Sequence, residues 1–164
     1  MRIKNTTKIP DQLVREVINF VKPSGITNFD VMVKNAEWGL AGKAYSQGSS
    51  YHATANPFIV CRIPETKYVI TKVINGNPVR EKRNKYPCIL NTYQIGHLKG
   101  KEYYLADTTE ALVYLAAHEL RHLWQAKAKS KRGYNWGSRG KFSEIDTESY
   151  AIRMLRAWRK KIKN

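Results

Sequence analysis

Acidic residues are scarce in this sequence. Against 29 Lys and Arg stand 13 Asp and Glu in 164 residues, a formal net charge of +16. Charge of one sign speaks to association and not to fold, and a chain this basic is drawn to polyanions. Cysteine is nearly absent as well. Cys61 and Cys88 lie in separate apolar runs with no second ligand close by. That excludes a zinc ribbon and a disulfide framework and leaves two buried free thiols as the expectation. Long apolar runs are missing too: the longest unbroken one is Ala111 to Ala117, far below the about 20 residues that span a bilayer. No membrane partner is expected. Met1-Arg2-Ile3-Lys4-Asn5-Thr6 carries charge but leads into no apolar stretch, so no secretory signal is expected and the protein reads as intracellular and cytoplasmic. There is no internal repeat and no low-complexity tract.

What is present is the composition of a folded protein, with 42% hydrophobic and 11% aromatic residues. At roughly 150 residues per domain, residues 1–164 form one domain, large enough to bury about 70% of its unfolded surface. Leu13, Val14, Val17, Ile18 and Val21 recur at helical spacing and predict a helix over 11–21, stopped at Pro23-Ser24-Gly25. Short runs rich in Val, Ile, Tyr and Thr follow and predict strands at 29–33, 58–63, 67–74, 88–95 and 103–105. Asn75-Gly76-Asn77-Pro78 is a strong turn signal, and the Gly-rich stretch 39–50 reads as a surface loop. The fold expected is α+β. An N-terminal helix and a small, twisted, largely antiparallel sheet occupy 1–106, and two helices in 107–164 pack on one side of it.

The first of those two helices carries the decisive feature. Asp107-Thr108-Thr109-Glu110 offers an N-cap acid with a Glu three residues on, a variant of the capping box. The run Ala111 to Ala117 is apolar on nearly every side, so the helix is expected to be central and buried. Into it the sequence sets His118-Glu119-Leu120-Arg121-His122, the H-E-x-x-H pattern of zinc metalloproteases. Residues four apart share a helix face, so both imidazoles can aim at one ion. Glu119 is rotated about 100° from His118, where a general base belongs beside the metal. From composition alone, on the order of 0.005 such matches arise by chance in a chain of this length.

A catalytic zinc ion takes a third protein ligand. The extended motif with a third His meets Ala128 instead, and no His follows His122. The remaining choice is a carboxylate, and the acids beyond His122 are Glu144, Asp146 and Glu148. Glu144, Glu148, Ala151, Leu155, Trp158 and Ile162 fall on one face of a last helix. Two carboxylates on an apolar stripe need a metal or a partner, whereas Asp146 is turned to the far side. Glu144 is therefore assigned as the third ligand. Glu148 is assigned as the acceptor that holds a ligand His by its other ring nitrogen.

These residues resemble the gluzincin metallopeptidases, in particular the small intracellular members called minigluzincins. In that family the first acid ligates zinc and the acid four residues later, usually Asp, supports the first His. Glu148 stands at the supporting position here. The resemblance covers residues 107 to about 160. A partial likeness to the SprT-like proteases, which cut proteins crosslinked to DNA, ends at the ligand, because those use a third His.

The function expected is hydrolysis of peptide bonds in a protein or peptide substrate, with Zn2+ held by His118, His122 and Glu144 and Glu119 as general base. Tyr150, Arg139, Tyr134 and His97 are candidates for stabilising the developing oxyanion by chain position alone. His52 and His97 read equally as surface or internally satisfied histidines. Between the two helices, Lys127, Lys129, Lys131, Arg132, Arg139 and Lys141 surround Tyr134 and Trp136 with no acid among them. This segment suits either a solvated loop or contact with nucleic acid or another polyanion. The alternative function is accordingly a basic nucleic-acid-binding module with a structural or vestigial zinc site, or a protease acting on DNA-associated proteins.

Overall fold

A computed structural model describes the backbone of residues 1–36, 40–64, 68–74, 77–82, 86–89, 102–131 and 141–163, and the side chains of 1–36, 40–64, 105–127, 144 and 146–163. The chain is α+β. In order, the described elements are β1 (Ile3–Asn5), α1 (Asp11–Val21), β2 (Asp30–Ala36), β3 (Ala41–Tyr45), β4 (Phe58–Pro64), β5 (Tyr68–Ile74), β6 (Asn77–Lys82), β7 (Tyr86–Ile89), β8 (Glu102–Leu105), α2 (Thr108–Lys131) and α3 (Lys141–Lys161).

The central sheet is four-stranded in the order β1-β2-β4-β3. It is mixed, which corrects the largely antiparallel sheet expected: β1 and β2 run parallel, β2 and β4 run parallel, and only β3 opposes β4. The cause lies in the connections. β1 reaches β2 through the helix α1, a crossover long enough to return the chain in the same direction. Antiparallel pairing holds in the two hairpins, β5 with β6 and β7 with β8. Ile74 pairs with Asn77, in keeping with the turn expected at that point. A second correction concerns the stretch 39–50, of which Ala41–Tyr45 forms β3 rather than loop.

The period of two on β2 and β4 sorts their side chains to opposite sides of the sheet. Val31, Val33, Ile59, Cys61 and Ile63 join the main core with Val14, Val17, Ile18 and Val21 of α1 and the buried run Ala111 to Ala117 of α2. Met32, Phe58 and Val60 form a smaller cluster on the other face, covered by Tyr45. Helix α2 touches α1, α3, β3 and β4, so the motif sits at the centre of the molecule. Its start is fixed by the expected device: Asp107 Oδ1 accepts from the Glu110 backbone N–H at 2.9 Å, and Glu110 Oε2 accepts from the Ala106 N–H at 2.7 Å. On α3, Ala151, Leu155 and Trp158 are buried as the stripe requires, but Ile162 is 61% exposed because it lies past the last turn of the helix. No described helix is long and apolar enough to cross a membrane.

Candidate metal centre

One turn apart on α2, His118 and His122 turn their Nε2 atoms toward each other at 3.1 Å. From the first turn of α3, Glu144 faces both rings. Its Oε2 lies 3.3 Å from His118 Nε2 and its Oε1 lies 3.4 Å from His122 Nε2. Ligand atoms about 2.0–2.1 Å from a tetrahedral zinc ion stand about 3.3–3.4 Å from one another; the two imidazole nitrogens are near that spacing, and the carboxylate offers one oxygen to each ring, so that one ligand atom from each residue of this cluster lies within 4.8 Å of the others. Among the described residues it is the one group of three His, Cys or acidic side chains whose donor atoms all lie within 4.8 Å of one another. The donor set fits a cation chemically too. Two neutral imidazoles and a carboxylate bring lone pairs to one point, and they repel unless a proton or cation stands between them.

The electrostatics follow from crowding. Burial disfavours charge on His118, but its hydrogen bond to Glu144 and the charges of Glu119 and Glu148 outweigh burial and hold the ring above its ordinary pKa. His122 goes the other way, depressed first by burial and then by the neighbouring His118. Glu144 is held below the usual carboxylate range, mainly by its bond with His118 and against some burial. Glu119 is 5% exposed. Burial pushes its carboxyl up to about 7, with His118 opposing and Glu144 and Glu148 assisting.

The space for Glu119 comes from β3. Gly42 lies across from it, and a Cβ added at Gly42 would come within 2.7 Å of both Cγ and Cδ of Glu119. Cys61, the register partner of Gly42 on β4, is the buried free thiol expected. Its pKa is raised well above the ordinary value, first by burial and then by Glu119.

Each candidate ligand has its own support. Glu148 is buried, and its Oε1 lies 3.7 Å from His118 Nδ1, a buried nitrogen with no hydrogen-bond partner. Glu148 Oε2 accepts from the Tyr114 hydroxyl at 2.6 Å. For His122 the neighbour is Gln125, whose Oε1 lies 3.3 Å from Nδ1. Gln125 Nε2 donates to Asp146 Oδ2 at 2.8 Å, and Arg121 clamps the same carboxylate through Nε at 2.7 Å and Nη2 at 2.9 Å. The expectation that Asp146 turns away from the site is therefore corrected: two long side chains of α2, Arg121 and Gln125, reach it across the first turns of α3. Gln125 and Tyr114 were accessible by helical spacing, at i+3 from His122 and i−4 from His118. No pattern in the sequence marks Gly42.

Among the described residues, the remaining candidates Tyr150, His52 and Lys127 have partners outside the cluster. Tyr150 is buried, donates its hydroxyl to the Val21 carbonyl at 2.8 Å and carries the Arg121 guanidinium over its ring. His52 packs on Tyr45, Tyr51 and Phe58, in keeping with the surface reading. Lys127 donates to the Gly25 carbonyl at 2.6 Å. His97, Tyr134, Trp136, Arg132 and Arg139 lie outside the described residues, as do the side chains of Cys88, Lys129, Lys131 and Lys141. Comparison with protein-family models, with curated proteins and with solved structures finds no match to this chain.

Proposed function

We propose that the chain is a zinc-dependent peptidase whose metal is held by His118, His122 and Glu144. The observation that carries the reading is the convergence of two Nε2 atoms, 3.1 Å apart, with the Glu144 carboxylate, one oxygen of which lies 3.3 Å from the first ring nitrogen and the other 3.4 Å from the second. The resemblance of the motif and of the Glu144–Glu148 pair to gluzincins supports a zincin-like arrangement. Bound there, zinc would supply a Lewis acid that polarises a scissile carbonyl and lowers the pKa of water toward about 7.

The chain's own residues do the rest. Glu119 accepts the proton of the attacking water on its carboxylate and returns it to the leaving amine. Burial has placed this carboxyl near about 7, where taking and releasing a proton are nearly balanced, and a cation beside it favours the ionised, accepting form. Strand β3 suits an extended substrate: Ala41, Gly42 and Lys43 are exposed, and among the described strands only β4 pairs with it. A peptide can add to such an edge through main-chain hydrogen bonds, beside Gly42, against which Glu119 packs. A cleft of about 620 Å3, bordered by Phe29, Gln47, Leu123 and Lys127, lies within reach of the end of β3 and is of a size that accepts side chains.

The test is cleavage of a mixed peptide library by zinc-supplemented protein, read by mass spectrometry beside Glu119→Gln. Cleavage by the parent with a loss of roughly 10²–10⁴-fold in the variant is expected. No cleavage by a zinc-loaded parent, or equal cleavage by both, would overturn the reading.

A further inference from the structure

The chain from Arg121 to His122 has a chemical direction. Asp146 is bound on both oxygens by Arg121 and again on Oδ2 by Gln125. The Arg121 guanidinium is always charged and can only donate, so its 2.7 and 2.9 Å bonds make both oxygens of this carboxylate acceptors. An ionised carboxylate only accepts hydrogen bonds. The side of the Gln125 amide that meets it must therefore be the NH2 group. That leaves Oε1 for His122, and an amide oxygen also only accepts. The nitrogen facing it, His122 Nδ1 at 3.3 Å, must then carry the ring's proton. A neutral imidazole has one N–H, so Nε2 keeps its lone pair and points it at His118 and Glu144.

We infer that Arg121, Asp146 and Gln125 form a relay that fixes His122 in the Nδ1-protonated tautomer and so keeps a lone pair on Nε2 for a ligand role. They are positioning residues, acting on the metal only through the ring. The inference deepens the proposed function and rests on it where metal affinity is concerned, while the tautomer itself does not need the metal. The relay is separate from the support of His118, which comes from Glu148 and Tyr114 on a different part of α3 and α2. It also gives Asp146 a reason to be acidic that is not charge balance. Asn at this position would keep the shape but could donate as well as accept, and the amide of Gln125 could then turn over.

The experiment uses the full chain as parent, Asp146→Asn and Gln125→Met. Long-range proton–nitrogen correlation spectra of the chelator-treated protein, at a pH where both rings are neutral, report which nitrogen of each His is protonated. Zinc affinity is measured separately by competition with a chromophoric chelator. Expected are a pure Nδ1–H form of His122 in the parent, a mixture of tautomers in both variants, an unchanged His118 pattern, and zinc binding weakened roughly 10- to 100-fold. A role in folding alone would move the signals of both rings together, or neither. The Nε2–H form in the parent, or variants that keep the parent's tautomer and affinity, would overturn the relay. A parent that shows the Nδ1–H form but binds no zinc would refute the metal reading and leave the relay standing. Should Asp146→Asn not fold, Gln125→Met decides, because it removes the acceptor while leaving the Arg121–Asp146 pair in place.

Discussion

Gly42→Ala adds one methyl group and tests how closely β3 and α2 are packed over the Glu119 carboxyl. At a strand position with ordinary backbone angles, this exchange by itself stabilises a protein by about 0.4–1 kcal/mol through the unfolded chain. Here the new Cβ would stand within 2.7 Å of Cγ and Cδ of Glu119, whereas carbon atoms rest about 3.5–4.0 Å apart. Roughly 1 Å of overlap has to be relieved. Glu119 has little freedom to retreat, being buried beside Cys61 on a helix packed on several sides. Overpacking of this kind costs about 1–3 kcal/mol, so the sign of the change is opposite to the intrinsic one. Under the proposed peptidase function, a shift of the Glu119 carboxyl by about 1 Å lowers turnover on the order of 10²-fold. Urea denaturation of the parent, Gly42→Ala, Glu119→Ala and the double variant separates the causes. The destabilisation should shrink by about 1–2 kcal/mol once the Glu119 side chain is cut back, since contacting residues couple by that amount. A Gly42→Ala protein as stable as the parent, or one equally destabilised with and without the Glu119 side chain, refutes the argument.

Three further outcomes are expected. Glu119 holds a proton up to about 7 in the folded chain against an ordinary 4.5, so the metal-free folded state binds more protons than the unfolded one between those values and loses stability as pH rises through that window. Glu119→Gln should remove that part of the slope, the gap between the two stability curves changing by on the order of 3 kcal/mol across the window; parallel curves in urea titrations at stepped pH would contradict it. Arg159 donates from Nε at 2.8 Å and Nη2 at 2.6 Å to the two oxygens of the buried Glu110, so Arg159→Met should cost about 3 kcal/mol by stranding that carboxylate, and an unchanged melting temperature would speak against it. Glu148→Gln, which can still accept from Tyr114 but carries no charge toward His118 Nδ1, should weaken zinc binding roughly 10-fold, checked by the same chelator competition used for the relay.

How much of this was legible in the sequence depended on what kind of signal each feature leaves. Helix α1 was read to its exact ends because Val14, Val17, Ile18 and Val21 all face one core. The start of α2 was visible in the Asp107–Glu110 pair, which makes the hydrogen bonds that its spacing promises. His118, His122 and Glu144 came together because helical spacing is a local rule and the metal requirement selects among few acids. Strand β1 was missed for its length, three residues. Strand β3 was missed because Ala41, Gly42, Lys43 and Ala44 are weak strand formers whose pairing with β4 is decided by tertiary contact. The parallel pairings were hidden for the same reason, since strand direction is a property of the whole path. Asp146 was misjudged because a helical wheel gives the direction of Cβ and not the reach of Arg121 and Gln125 coming from another helix.

The most direct test of the metal centre is the metal content of the purified, tag-free protein by inductively coupled plasma mass spectrometry, measured for the parent and for Glu144→Ala. Glu144 is the proposed ligand from α3, and its two oxygens lie 3.3 Å from His118 Nε2 and 3.4 Å from His122 Nε2. Zinc bound stoichiometrically by the parent and nearly lost from a folded Glu144→Ala is the result this account predicts. A parent free of zinc after supplementation, or a Glu144→Ala variant that holds zinc as tightly as the parent, would contradict it.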